Sequence, residues 1–436
     1  MKALKVGLIG MGTVGSGTYQ VLLRNKDLIQ ARLGRGIEIA MVADLHTDKV
    51  KALVQPDCQV VTNAADIIAN PEIDIVIELI GGYGIAKDIV LQAIAAGKHV
   101  VTANKALLAV HGSDIFEAAK SRGTMIGYEA SVAGGIPIIK VLREGMTANR
   151  IQWVAGIING TTNFILTQMR EKGWGFDQAL KEAQQLGYAE ADPTFDIQGT
   201  DAAHKCSIMS ALAFGISIPF NSAYVEGISQ LQAQDIQFAE QLGYRIKLLG
   251  ITKATPSGIE VRVHPCLVSE KSLLANVEGA MNAVMVNADA VGTSMYYGKG
   301  AGGEPTASAV IADLIDIARW ISVQPEQRIP ALAFQSDNHL QQPVIGIDQV
   351  TTCYYLRIGV ADQPGVLASI SSILAQSGIS VDAMIQHSAD VERLQTQILI
   401  LTHEANESVM NAAIAKIEAL STVLAPVVRI RKEDFN

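Results

Sequence analysis

Leu4 to Gly15 reads LKVGLIGMGTVG, an apolar run that closes on Gly10-Met11-Gly12-Thr13-Val14-Gly15. The run Leu4–Ile9 predicts a strand, and the stretch from about Val14 to Leu23 predicts a helix. A GxGxxG pattern by itself says little, because glycine is common. Set between a strand and a helix, it becomes a dinucleotide-binding fingerprint. The glycines let the backbone approach a pyrophosphate, and the N–H groups at the helix start face its charge. Gly10, Gly12, Thr13, Val14 and Gly15 are therefore cofactor-binding candidates. A second strand, Ile37–Ala43, ends at Asp44, where a ribose-binding carboxylate would sit and would favour NAD over NADP. Lys49 lies close enough in sequence to accommodate a 2′-phosphate instead, so both nucleotides stay open here.

Outward from that loop, strand-like runs recur at Ile73–Leu79, His99–Thr102 and Met125–Tyr128. Helical stretches such as Ala86–Ala96 and Ser113–Ser121 separate them. This alternation predicts an α/β fold with a Rossmann-type, doubly wound parallel sheet over residues 1–130. Residues 131–302 read as a mixed α/β catalytic and dimerisation domain. Its helices include Phe176–Leu186 and Asp235–Leu242, and its strands Trp153–Ile158, Lys247–Thr252 and Glu260–Leu267. A glycine-rich loop, Gly298 to Gly303, leads into a helix that rejoins the first domain over 303–322. Residues 323–350, with several Pro and Gln, read as a linker. Residues 351–436 then run strand, helix, strand, strand, helix, strand, the order of a ferredoxin-like unit.

The chemistry concentrates in Ala183–Lys205, AQQLGYAEADPTFDIQGTDAAHK, which leads into the uncharged run CSIMSALAFG. A helix from Thr200 to Phe214 is apolar nearly all round and so belongs inside the protein. Asp201 and Lys205 stand at i and i+4 on one face of it. A buried lysine is costly unless it is paired or has work to do, and a lysine of tunable pKa in a dry site can give or take a proton. His204 points away from Lys205 and reads as a packed or solvated histidine.

Composition narrows the function classes. A chain of 436 residues is long for one core. It carries a net charge of -9 and no Lys/Arg tract, which removes the electrostatic basis for nucleic-acid binding. No stretch reaches the roughly 20 apolar residues that span a bilayer, and no cleavage site follows the N-terminal run. Cys58, Cys206, Cys266 and Cys353 are scattered without a CxxC pair, which suits a cytoplasmic protein with reduced thiols.

Several motifs together resemble homoserine dehydrogenase. They are Ala183, Gly187-Tyr188-Ala189, Asp192-Pro193, Asp196-Ile197, Gly199, Asp201 and Lys205, with Val101-Thr102-Ala103-Asn104-Lys105. Tyr128 to Pro137, Gly156 to Asn163 and Gly300-Ala301-Gly302-Gly303 add to them. The resemblance implies NAD- or NADP-linked interconversion of L-homoserine and L-aspartate 4-semialdehyde. It implies Lys205 as proton donor and acceptor, Asp201 as its orienting carboxylate, and Lys105 beside substrate and nicotinamide. Glu190, Asp196, Gly160 and Thr161 would meet the substrate, and Gly302 the cofactor. It also implies a structural monovalent cation, sodium by its oxygen ligands, at the Glu129 carboxylate and the Val132, Gly134 and Ile136 carbonyls. A homodimer or homotetramer is implied as well, and a monofunctional chain, since the sequence opens at the cofactor strand.

Asp362-Gln363-Pro364-Gly365-Val366-Leu367, continued by Ile379-Ser380-Val381 and Gln386, resembles the opening of an ACT domain. That implies regulation by an amino acid, L-threonine in this family. Two other readings compete. A semialdehyde dehydrogenase that forms an acyl phosphate needs a nucleophilic cysteine, for which Cys206 is the one neighbour of the proposed chemistry. A non-catalytic sensor of nucleotide and amino acid would survive the loss of Lys205.

Overall fold

The structure is a computed structural model that describes residues 3–335, 342–386 and 395–435. Its first sheet has six strands: β1 (Leu4–Ile9), β2 (Ile37–Ala43), β3 (Gln59–Val61), β4 (Ile75–Glu78), β5 (His99–Thr102) and β6 (Ile126–Gly127). Their order is 3-2-1-4-5-6 and every pairing is parallel. The strand order reverses between β1 and β4, and a ligand crevice opens at such a point. Residues Leu4, Val6 and Leu8 of β1 share a buried core with Ala307, Val310 and Leu314. Those three lie on the helix Gly303–Trp320, so the chain returns to the first sheet after the catalytic region.

The second sheet is mixed. Its strands are β7 (Ile151–Ile157), β8 (Tyr224–Val225), β9 (Tyr244–Thr255), β10 (Gly258–Ser269), β11 (Met281–Ala288), β12 (Gly292–Lys299), β13 (Thr351–Ala361), β14 (Val381–Gln386), β15 (Gln395–Thr402), β16 (Ala405–Asn406) and β17 (Val428–Glu433). The main path runs β12-β11-β7-β9-β10-β17-β13-β15-β14. Its last four members are antiparallel neighbours in the ferredoxin-like arrangement. β17 also runs parallel to β10, with Cys266 opposite Arg431. The catalytic and C-terminal regions thus share one continuous sheet.

Buried ion pairs reinforce that seam. Across it Arg262 meets Glu433 and Arg357 meets Asp235, while Arg431 of β17 reaches Glu226 and also pairs with Glu407 inside the C-terminal region. The predicted linker, 323–350, is itself packed where it is described, and residues 336–341 lie outside the described residues. Arg328 donates to the Gly123 carbonyl at 2.8 Å, the Tyr128 hydroxyl donates to the Ala331 carbonyl, and Val344 bridges Ile259. Its apolar side chains Ala331, Leu332 and Val344 bury against the main core, which outweighs the turn-forming Pro and Gln content.

Candidate active site

The helix Thr200–Phe214 is buried from Asp201 to its end, as its uninterrupted apolar sequence requires. It packs on the catalytic sheet closely enough that a Cβ on Gly250 of β9 would lie 3.3 Å from the Cys206 Cβ. At its first turn the Lys205 ammonium donates to Asp201 Oδ2 and to the Ile158 carbonyl, both at 2.7 Å. Lys105 Nζ lies 3.2 Å from the other Asp201 oxygen. One buried carboxylate therefore serves two lysines that are distant in sequence.

Lys105 is put there by a cap. The predicted helix Ser113–Ser121 in fact runs Lys105–Arg122. Asn104 Oδ1 accepts the Leu107 N–H at 3.1 Å and so caps the helix whose first residue is Lys105. The loop before it is shaped by Glu78, fully buried at the end of β4. Its carboxylate accepts the Ile80 N–H at 2.9 Å and the Thr102 hydroxyl at 2.7 Å.

The fourth polar group is Asn159. Its amide nitrogen donates to Asp196 Oδ1 at 2.7 Å and to Asp201 Oδ2 at 2.8 Å. Its oxygen accepts the Thr162 N–H at 2.8 Å, capping the helix Gly160–Lys172. Gly160 and Thr161 open that helix beside the cluster, and the Thr161 hydroxyl donates to the Tyr188 carbonyl. Glu190 is exposed, and no hydrogen bond or ion pair joins its carboxylate to the lysines among the described residues.

Burial and charge set the protonation states. Burial pushes the Asp201 carboxyl up, but the Lys205 and Lys105 ammoniums outweigh it and hold the group well below the usual carboxylate range. Burial pulls Lys205 below the ordinary lysine value of 10.5, with Asp201 pulling back. Burial, then the neighbouring Asp201 charge, raises Asp196. His204 is packed against Phe195 and Phe220, and burial pulls it down to about 4. Of the two readings, packed or solvated, the structure shows the packed one.

A cleft of about 350 Å³ opens beside the cluster, lined by Val14, Gly81, Gly82, Tyr83, Lys105 and Phe195 among others. Val14 brings the glycine loop to this cleft. A larger cavity, about 950 Å³, is lined by Trp153, Lys253, Arg262 and Phe435 and by none of the predicted site residues. Of the charged cluster, Lys105 lines the smaller cleft.

The cofactor cradle fits a dinucleotide. Gly10 has φ +94°, and a Cβ there would meet the Leu79 carbonyl oxygen at 2.8 Å. A Cβ on Gly15 would lie 2.1 Å from the Gly10 carbonyl oxygen, whereas one on Gly12 would stand in open space before the helix Thr13–Arg24. Thr13 is packed against Gly303, so Gly302 and the second glycine loop border the first. Asp44 holds the edge of the cradle, accepting the Met11 N–H and the His46 N–H, each at 2.8 Å. Leu45 beside it is 84 % exposed, an apolar surface suited to a purine ring.

Three family descriptions match the chain. Residues 10–129 match the homoserine dehydrogenase NAD-binding domain, 137–315 the homoserine dehydrogenase domain, and 354–422 the ACT domain. Homoserine dehydrogenase of Pseudomonas aeruginosa is 53 % identical over 441 residues, and that of Neisseria gonorrhoeae 53 % over 436, with 100 % of each chain covered. The chain belongs to the homoserine dehydrogenase family. A crystal structure of a homoserine dehydrogenase from Thiobacillus denitrificans is 57 % identical, with a TM-score of 0.95 over 100 % of this chain and 99 % of that one. A hyperthermophilic archaeal homoserine dehydrogenase in complex with NADPH is 26 % identical, with a TM-score of 0.63 over 74 % of this chain and 99 % of its own.

As a homoserine dehydrogenase the chain is an NAD(P)-dependent oxidoreductase with a Rossmann-type domain, a mixed catalytic sheet and an ACT domain. Cys206 offers no nucleophile to the acyl-phosphate reading. It is fully buried, and burial pushes its thiol up to about 12. Glu78, Asn104 and Asn159 are the polar groups that sequence reasoning passed over. Asn104 was legible only as part of a matching motif, Asn159 as part of one and, with Gly160, as a turn signal, and Glu78 only as a residue of a strand.

Proposed function

We propose that Lys205 is the proton donor and acceptor at the substrate oxygen in the interconversion of L-homoserine and L-aspartate 4-semialdehyde. The observation that carries this is one buried ammonium, fixed by Asp201 and the Ile158 carbonyl beside a cleft that the glycine loop borders. The nicotinamide dinucleotide supplies the hydride when bound. The chain handles the proton. In the oxidative direction the neutral Lys205 amine takes the hydroxyl proton, and in the reductive direction its ammonium returns one to the developing alkoxide. Lys105 and Asp201 keep the balance of charge around it. Asp196, with Glu190, offers carboxylate to the substrate ammonium, and Gly160 and Thr161 border its backbone end.

The nucleotide would lie on Gly10, Gly12, Thr13, Val14 and Gly15, with Lys105 and Gly302 at its nicotinamide half. We read NAD as the preferred form. The Asp44 carboxyl is held below its usual value despite burial, because the His46 and Met11 N–H groups grip it. A 2′-phosphate would meet that fixed charge. Asp44→Ser is therefore expected to move the kcat/KM ratio toward NADP by about tenfold or more, read as reduced-nicotinamide absorbance with each cofactor.

Sodium would sit at Glu129 and the carbonyls of Val132, Gly134 and Ile136. Burial pushes the Glu129 carboxyl up to about 7, which suits a group whose counter-charge is an added cation. Its oxygens also accept the Ile139 and Lys140 N–H groups, which orient it. The ACT domain would sense L-threonine at the exposed Asp362–Gly365 turn. A homodimer or homotetramer fits the outer edge of β12, which pairs with no further strand among the described residues and where Tyr297 is 59 % exposed. Among the described residues no helix is long and apolar enough to cross a membrane, and the four cysteines are free, in keeping with a cytoplasmic enzyme.

The test follows reduced-nicotinamide absorbance with L-homoserine and each nucleotide, with and without L-threonine, for the wild type and Lys205→Ala. Wild-type turnover in the variant would remove Lys205 from the reaction.

A further inference from the structure

Asn159 is 4 % exposed and stands between two carboxylates that repel one another. Its orientation is not interchangeable. Its Oδ1 accepts the Thr162 N–H at 2.8 Å and the Thr162 hydroxyl at 2.9 Å, and a backbone N–H can only donate. The amide NH2 must then face Asp196 and Asp201, giving one hydrogen to each. Both oxygens of Asp201 are engaged. Its Oδ2 takes Lys205 and Asn159, and its Oδ1 faces Lys105. Asp196 is engaged through Oδ1 alone among the described residues, and its second oxygen has capacity to spare.

We propose that Asn159 is a positioning residue that divides the labour of the two carboxylates, committing Asp201 to the lysines and holding Asp196 for the substrate ammonium. This rests on the reading of Lys205 and Asp196 given above. An aspartate in its place would keep the helix cap but set a third carboxylate against the other two. A serine would also keep the cap, since serine is among the best residues there, but would lose the fork. The comparison of the two isolates the fork from the helix.

Asn159→Ser is expected to raise KM for L-homoserine about tenfold or more, the value of one charge-assisted hydrogen bond, while kcat falls by a smaller factor. KM for the nucleotide should not move. The acid limb of kcat/KM should also shift to higher pH. Asn159 helps to keep Asp196 ionised, together with Lys205 and Lys105 and against Asp201, while His204 on the same helix is neutral. Losing the amide leaves Asp196 easier to protonate. Asn159→Asp should lose more activity than the serine variant at neutral pH and recover part of it as the pH falls.

A merely structural asparagine would lower the melting temperature and both kinetic constants without moving the acid limb, and that result overturns the proposal. So does an unchanged KM in Asn159→Ser. Lys205→Ala, assayed in parallel, separates the two claims. Loss of turnover there with a neutral Asn159→Ser sinks the positioning role alone. Full turnover there sinks the underlying reading, whatever Asn159 does.

Discussion

Lys205→Ala is expected to lower kcat for L-homoserine oxidation by about 10²–10⁴-fold, the range for removal of a positioned general acid–base group. The loss should be chemical and not a failure to fold. With the ammonium gone, Asp201 keeps Asn159 at 2.8 Å and Lys105 at 3.2 Å, so the buried carboxylate is still compensated. Circular dichroism and nucleotide binding should match the wild type. The pH dependence gives a second reading. Oxidation needs the neutral amine, so its rate should climb as pH rises through the Lys205 pKa. That limb should fall below the ordinary lysine value of 10.5, because burial outweighs the pull of Asp201. Reduction needs the ammonium and should fade over the same interval. Lys205→Arg keeps the charge but cannot shed a proton, so it should fail in oxidation as the alanine variant does. A variant that turns over at the wild-type rate would sink the assignment.

What the sequence disclosed, and what it withheld, follows from the range of the forces involved. The strands of the first sheet were legible because each is a short apolar run bounded by turn residues, and β1, β2 and β5 match their predicted limits. The helix Thr200–Phe214 was legible because it lacks charge beyond its first turns, and its i, i+4 pair told that Lys205 and Asp201 meet. The capping contacts that place Lys105 at the start of its helix were not legible. Its cap is an asparagine whose side chain also donates to the Gly82 carbonyl, a contact that only the folded loop creates. The same limit hid Asn159. As Asn-Gly it signals a turn, and its grip on Asp196 and Asp201 joins segments that the sequence keeps far apart. Pairing of β10 with β17 was beyond reach for that reason too, since no local pattern marks which strand edge a module will meet. Glu190 shows the opposite case, a motif position that the fold leaves exposed and outside the lysine cluster.

Glu407→Ala is expected to cost about 3 kcal/mol of stability, the low end of the range for breaking a buried ion pair from one side. Glu407 and Arg431 are each 1 % exposed in their side chains. Arg431 donates to both Glu407 oxygens, at 2.6 and 3.0 Å, and the Tyr354 hydroxyl donates to Oε2 at 2.7 Å. Without the carboxylate a guanidinium stays in the seam and cannot neutralise itself by losing a proton. Glu226, 2.9 Å from Arg431, still offers partial compensation, which is why the low end of the range applies. Urea unfolding followed by circular dichroism checks the value. The pH dependence has a definite sign. Burial pushes the Glu407 carboxyl up, but Arg431 and Tyr354 hold it below its ordinary 4.5. A depressed carboxyl stabilises the fold above that ordinary value and loses its contribution as the pH drops through the folded-state pKa. The gap between wild type and variant should therefore be widest at neutral pH and close in acid. The seam lies away from Lys205, so turnover of the folded variant at low temperature should hold. An unchanged urea midpoint at neutral pH would mean that Glu226 alone neutralises Arg431, and that the Glu407–Arg431 pair adds nothing to the stability of the C-terminal region.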